Sequence, residues 1–260
     1  MNPVRISAVS YLNTKPLLFG LLKSSIAESL QLELDIPSRC AAKLKNGEVD
    51  LALVPVAVLP EVPEARIVTD YCIGAEREVR TVAIYAHQPL EQLQRIYLDY
   101  HSRTSVELVR ILLQDYWQLQ PELLPAFPGY ESEIGGTTGG LIIGDRAIAM
   151  EHQFPYRYDL AEAWYAHSGL PFVFAVWVAV KPLGPVFLRR FNEALRSGVE
   201  SIPQLKYLIS PNVEGFDLER YFTHNISYVL DAPKRQALDK FLTRLQFSLA
   251  AGKEQTSVAI

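Results

Sequence analysis

The sequence predicts an α/β protein of two lobes with a helical C-terminal part. Short runs rich in Val, Ile and Leu alternate with helix-like segments from the N-terminus, and the scheme repeats in the middle of the chain. Two longer extended apolar runs, residues 79–85 and 172–180, flank that middle portion. Side by side they would form a paired crossover, with the middle segment inserted as a second lobe. The expected division is residues 1–82 plus 178–260 for the first lobe and 83–177 for the second. A chain of 260 residues accommodates two such lobes.

In the first lobe, residues 4–9, 32–36, 50–56 and 67–71 read as strands, and 16–23 and 38–46 as helices. Ser38 can cap the second helix and Gly47 can end it. Strands that alternate with helices imply a mainly parallel sheet. In the middle portion, residues 95–98 read as a strand. After it, Val106, Val109, Leu112, Leu113 and Tyr116 recur at helical spacing. Residues 141–143 and 147–150 read as strands around a Gly144-Asp145-Arg146 turn, and 159–168 as a short helix. Residues 125–140, with the run Gly135-Gly136-Thr137-Thr138-Gly139-Gly140, read as a loop without the Gly-Lys-Ser/Thr of a nucleotide-phosphate loop. Residues 184–198 and 231–249 read as helices, the latter capped by Asp231 with Pro233 in its first turn.

Apolar residues make up 49% of the chain, charged residues 21%, and the net charge is -4. That balance suits a globular core and excludes nucleic acid or an anionic membrane as an evident partner. Cys40 and Cys72 read as reduced thiols of an intracellular protein, with a disulfide between them as the alternative. The segment after Met1 lacks a basic stretch followed by an apolar one, so no export signal is expected and the location expected is cytoplasmic. The apolar stretch around residues 170–180 is broken by Pro171 and too short to span a bilayer. The five histidines lack metal-ligand spacing, and no nucleophile elbow is present, so neither metal, cofactor nor covalent hydrolysis is expected.

Candidate site residues lie at strand-to-helix turns, where parallel α/β sheets bind ligands. In Ser10-Tyr11-Leu12-Asn13-Thr14-Lys15-Pro16-Leu17, Asn13 offers a donor and an acceptor, or only braces the turn, and Thr14 can cap the following helix. In Asp99-Tyr100-His101-Ser102-Arg103-Thr104-Ser105, a helix N-terminus meets the hydroxyls of Ser102, Thr104 and Ser105 and the guanidinium of Arg103. Such a cluster can hold a carboxylate, each charge-assisted bond contributing roughly 1.5–3 kcal/mol. The alternative is plain Ser capping with a solvated Arg103. Asp145 could serve as a base, but a structural role, paired with its own turn, Arg146 or Arg103, is favoured. Phe172, Phe174 and Trp177 read as core, with one face able to line a cleft.

Taken together, five motifs in order resemble one family: Val9 to Leu17, Asp50-Leu51-Ala52-Leu53-Val54-Pro55-Val56, His101 to Ser105, Ile143-Gly144-Asp145-Arg146-Ala147, and Leu170-Pro171-Phe172-Val173-Phe174-Ala175-Val176-Trp177. They look like the chorismate dehydratases of the futalosine route to menaquinone. The resemblance runs from the first strand to about residue 180. It implies a type II periplasmic-binding-protein-like fold working as a cytosolic enzyme, monomer or homodimer, on the small molecule chorismate. Chorismate would lose its ring hydroxyl and an adjacent proton to give 3-[(1-carboxyvinyl)oxy]benzoate. Asn13 matches the family's active-site Asn, and Thr81 stands where the family carries Ser, keeping the hydroxyl. With these as catalytic candidates beside Asp145, the substrate-binding set is Ser10, Tyr11, Thr14, Pro55, Val56, Ser102, Arg103, Thr104 and Ser105. The mechanism expected is that Asn13 and Thr81 orient the enolpyruvyl group, whose own carboxylate takes the ring proton, with Asp145 as the rival base. Lobes joined by two strands should also close on the ligand. The other readings are a non-catalytic binding protein and the naphthoate-forming enzyme of the same route, for whose catalytic His neither His101 nor His152 has a matching context.

Overall fold

The computed structural model describes residues 3–62, 64–210 and 213–257. The chain opens with β1 (Val4–Val9), α1 (Lys15–Lys23), β2 (Leu30–Asp35), α2 (Pro37–Lys45), β3 (Leu51–Pro55) and β4 (Arg66–Ala75). The middle portion holds β5 (Val82–Ala86), β6 (Arg95–Leu98), α3 (Arg103–Leu112), β7 (Glu122–Pro125), β8 (Thr138–Ile143), α4 (Asp145–Met150), β9 (Tyr156–Asp159) and α5 (Leu160–Ser168). The chain then returns through β10 (Phe172–Ala179) to α6 (Pro185–Glu200), α7 (Ile202–Leu205), α8 (Leu218–Arg220), β11 (Ser227–Val229) and α9 (Ala232–Ser257).

These strands form two sheets, ordered β11-β4-β10-β3-β1-β2 and β7-β6-β8-β5-β9. In the first, β1 runs parallel to β2 and β3, while β10 lies antiparallel between β3 and β4. In the second, β6 is parallel to β7 and β8, and β5 is antiparallel to β8 and β9. Every residue of β3, β5, β8 and β10 is buried, which is why β3, β5 and β10 read as unbroken apolar runs rather than alternating ones.

The two crossover runs do not lie side by side. Residues 82–86 pair only within the second sheet, while β10 belongs along its whole length to the first. The neighbour of β10 at the crossing is the end of β4, with Phe172 opposite Ala75. The chain therefore passes between sheets at residues 76–81 and 169–171, and residues 172–177, expected in the second lobe, sit with the first sheet. Apolar content alone does not tell which sheet a fully buried strand joins.

Local departures have physical reasons. Residues 147–150 are helical, because Gly144, at φ 65° and ψ −151°, turns the chain and places Asp145 in the first turn of α4. Gly139 and Gly140 belong to β8: a Cβ on them would meet Leu93 at 2.7 Å and Ile134 at 2.5 Å, so their bareness makes room for packing. Helix α2 starts at Pro37 with Ile36 as its N-cap and no side-chain cap, so Ser38 lies inside it; Gly47 follows it at φ 70°, as expected. Asp231 does cap α9, accepting from the Lys234 amide at 3.0 Å. Cys40 and Cys72 are free and buried, which rules out the disulfide. No helix among the described residues is long and apolar enough to cross a membrane.

Candidate active site

A cavity opens between the sheets, walled by Val9, Tyr11, Asn13 and Thr14 after β1, Pro55 at the end of β3, Ser102 and Ser105 at the start of α3, Ile143 and Gly144 after β8, and Phe174 and Ala175 in β10. Pro37, Ile73, Val79 and Val82 complete it. All five motifs singled out in the sequence thus contribute to one cavity.

The polar end is built by two turns. Residues 12–14 form one turn of 3-10 helix that runs directly into α1. Thr14 is therefore already helical in φ and ψ and does not cap α1; its hydroxyl donates to Asn13 Oδ1 at 3.1 Å. That bond engages the acceptor of Asn13 and leaves its Nδ2 to donate into the cavity. Opposite, Ser102 caps α3, its Oγ accepting from the Ser105 amide at 3.0 Å and donating to Ser105 Oγ at 2.9 Å. The Ser105 hydroxyl proton is then left to the cavity that Ser102 and Ser105 line, at the positive end of the α3 dipole, an arrangement suited to an anion.

The structure distributes the other candidates differently. Ser10 is exposed and its amide bonds the Asp35 carbonyl at 3.0 Å. Val56 is fully buried beside Pro55 and outside the cavity wall. Thr104 faces the first lobe, accepting from the Ala57 amide and donating to the Phe174 carbonyl, both at 3.2 Å. Arg103 points out to solvent and is held by Glu61, with Nη1 to Oε2 at 3.1 Å and Nη2 to Oε1 at 2.5 Å. The guanidinium expected as a carboxylate grip is thus already paired. Thr81 is fully buried, with its hydroxyl 2.9 Å from that of Tyr221 and not part of the cavity wall, whereas its neighbours Val79 and Val82 are.

Asp145 reaches across to the first lobe and accepts from the Leu12 amide, at 3.0 Å through Oδ1 and 3.3 Å through Oδ2. Burial pushes its pKa up, against the Leu12 N–H and the charge of Lys15. Arg146, the partner considered for it, instead bonds Asp99 and Glu131. Tyr11 reaches the same way: its hydroxyl lies 2.8 Å from His101 Nδ1, and its ring packs on Gly144 so closely that a Cβ there would meet it at 2.9 Å. Burial, then the charge of Arg146, lowers the pKa of His101 and favours its neutral ring. The dipeptide Tyr11-Leu12 is thereby clasped by the second lobe over the cavity.

Two residues that the sequence reading passed over back this site. Tyr221 meets Thr81, and Tyr228 donates to the Asn13 carbonyl at 2.8 Å. Both lie in a C-terminal stretch with no local pattern pointing to the cavity; their contacts span 140 and 215 residues of chain.

A family model described as menaquinone biosynthesis matches residues 4–246. The chain is similar to chorismate dehydratases of Thermus thermophilus, at 27% identity with 96% of this chain and 98% of that protein covered, and of Campylobacter jejuni, at 24% identity with 90% and 94% covered. Among solved structures it resembles a protein from Archaeoglobus fulgidus (TM-score 0.72, 15% identity, covering 96% of this chain and 98% of that one). A Candida albicans gene product with the generic periplasmic binding protein structural fold gives a TM-score of 0.65 at 12% identity, covering 95% and 91%. The periplasmic aliphatic sulphonate binding protein of Escherichia coli gives 0.62 at 11%, covering 100% and 94%. These likenesses establish the periplasmic-binding-protein-like fold.

Proposed function

Because the chain belongs to the menaquinone-biosynthesis family, we propose that it is a chorismate dehydratase, a hydro-lyase that converts chorismate to 3-[(1-carboxyvinyl)oxy]benzoate. The observation that carries the reading is the convergence of all five motifs on one interlobe cavity. Relatives named chorismate dehydratase that align over nearly the whole chain support it.

Chorismate brings two carboxylates, and the start of α3 offers the Ser105 hydroxyl and the positive end of its dipole to one of them. Asn13 Nδ2 offers a donor to the enolpyruvyl group from the opposite wall. In the reaction the ring C–H bond and the C–O bond to the hydroxyl break, and the electrons of the former complete the aromatic ring. The departing hydroxyl takes up a proton and leaves as water. Aromatisation makes this strongly downhill, so orientation is the main demand on the protein. The enolpyruvyl carboxylate serves as proton acceptor. Asp145 suits a bracing role better than that of base, since both its oxygens face the Leu12 amide and it lies outside the cavity wall. The apolar wall of Val9, Ile73, Val79, Val82 and Phe174 holds the ring and excludes water. We place this work in the cytoplasm, where buried reduced thiols such as Cys40 and Cys72 are ordinary.

The test is incubation of the pure protein with chorismate, followed by mass spectrometry. An aromatic product one water lighter is expected; chorismate that persists unchanged while it binds would make the chain a binding protein. Asp145→Asn should keep turnover within about tenfold of the parent. Turnover abolished with binding retained would assign the base to Asp145.

A further inference from the structure

We infer that the C-terminal segment carries positioning residues for the site: Tyr228 fixes the main chain at Asn13, and Tyr221 fixes the side chain of Thr81. The inference rests on the reading of the cavity as the reaction site. Asn13 is the middle residue of a single helical turn, and the residue three further on is Pro16, which has no N–H to offer the Asn13 carbonyl. Tyr228 supplies a donor there, 2.8 Å from that oxygen. The tyrosine is 4% exposed, and its place in β11, next to β4, is set by the first sheet rather than by the turn it touches.

Tyr221, fully buried seven residues earlier, meets the Thr81 hydroxyl at 2.9 Å. Thr81 follows Arg80, which holds the left-handed φ of 69° at the crossing between sheets. The Arg80 amide is bound by Asp159 at 2.7 Å and the Thr81 carbonyl accepts from the Gly144 amide at 2.8 Å. With its backbone so held, the remaining freedom of Thr81 is its side-chain rotation, and Tyr221 fixes that. A buried tyrosine hydroxyl usually finds a partner. Here Asn13 lines the cavity, Thr81 stands directly behind the wall formed by Val79 and Val82, and each tyrosine reaches its partner from an element outside the five motifs.

Replacing tyrosine by phenylalanine keeps the ring and removes the contact. For Y228F the expected result is a fall of about tenfold or more in kcat for chorismate, with KM little changed. Thermal stability should drop no more than in Y158F, a control that loses the hydroxyl accepting from the Leu90 amide and whose residues lie outside the cavity wall. In the double variant Y228F/N13A the loss should equal that of N13A alone. Y221F should behave likewise toward T81A. Should Y228F not fold, the Y221F pair decides. A kcat in Y228F and Y221F equal to the parent's, or losses that add to those of N13A and T81A, would overturn the inference. A second readout needs no turnover: the Asn13 side-chain amide resonances, assigned through N13D, should shift or broaden in Y228F and stay fixed in Y158F. If the parent fails to dehydrate chorismate yet the amide responds, the functional reading fails and the positioning stands. Unmoved amide resonances with an active parent defeat the positioning alone.

Discussion

At the scale of single residues, the site depends on groups whose partners lie on the opposite lobe. Gly144 combines a backbone conformation open only to glycine with the Tyr11 ring against its Cα. Gly144→Ala should cost about 1–3 kcal/mol from backbone strain, before the clash with Tyr11, and calorimetric melting checks it. His101 gives a pH dependence whose sign follows from its lowered pKa. The unfolded chain binds the proton first, at about pH 6.5, while the folded site resists it. Stability is therefore full above that value and declines as pH falls toward the lower folded pKa. Melting temperature measured between pH 5 and 7.5 should fall on acidification, and His101→Gln should flatten that fall over the same window; an unchanged slope would remove His101 from the clasp. The Cys40 thiol is pushed up to about 11 and that of Cys72 to about 12, both mainly by burial. Neither should react with a thiol reagent at pH 8 until the protein unfolds.

At the scale of elements, α1 carries the Asn13 turn, and its position is fixed by a close crossing with α6. A Cβ on Gly20 would meet the Ala194 carbonyl oxygen at 2.0 Å, and one on Gly198 would meet that of Pro16 at 2.1 Å. Backbone cannot yield as a flexible side chain can, so Gly20→Ala or Gly198→Ala should destabilise by more than about 3 kcal/mol or prevent folding, read by melting and solubility. Nothing around Gly20 or Gly198 announced this contact in the sequence, since the two helices are far apart in the chain and a lone helical glycine reads only as a weak spot. The strands and helices with strong apolar periodicity were legible, as were the caps at Ser102 and Asp231. Short edge strands such as β7, β9 and β11 were not, because their pairing is decided by neighbours rather than by their own few residues. The turns bearing Asn13 and Ser102–Ser105 could be read because strand ends place loops at a common edge. The Arg103–Glu61 pair and the supports from Tyr221 and Tyr228 could not, since each joins segments that only the fold brings together.

At the scale of the whole molecule, the lobes are held together by Tyr11–His101, Leu12–Asp145, Thr104–Ala57 and Arg103–Glu61, and α9 adds a further tie through Arg244 and Asp115 at 2.6 and 2.8 Å. Helix α9 packs Phe241 on Phe172 at 5.2 Å, so the C-terminal helix touches the crossover strand while its Arg244 grips the second lobe. Substrate entry then requires the clasp at Tyr11 and Leu12 to part. In small-angle scattering, Tyr11→Phe combined with Asp145→Asn should enlarge the radius of the unliganded protein, and saturating product should bring it back toward the parent's. The central claim is that the interlobe cavity around Asn13 dehydrates chorismate. It is tested most directly by incubating the parent protein and Asn13→Ala side by side with chorismate and following the aromatic product over time. The parent should accumulate that product while Asn13→Ala, folded to the same melting temperature, stays at the uncatalysed rate; equal accumulation by both, or none by the parent, would contradict the account.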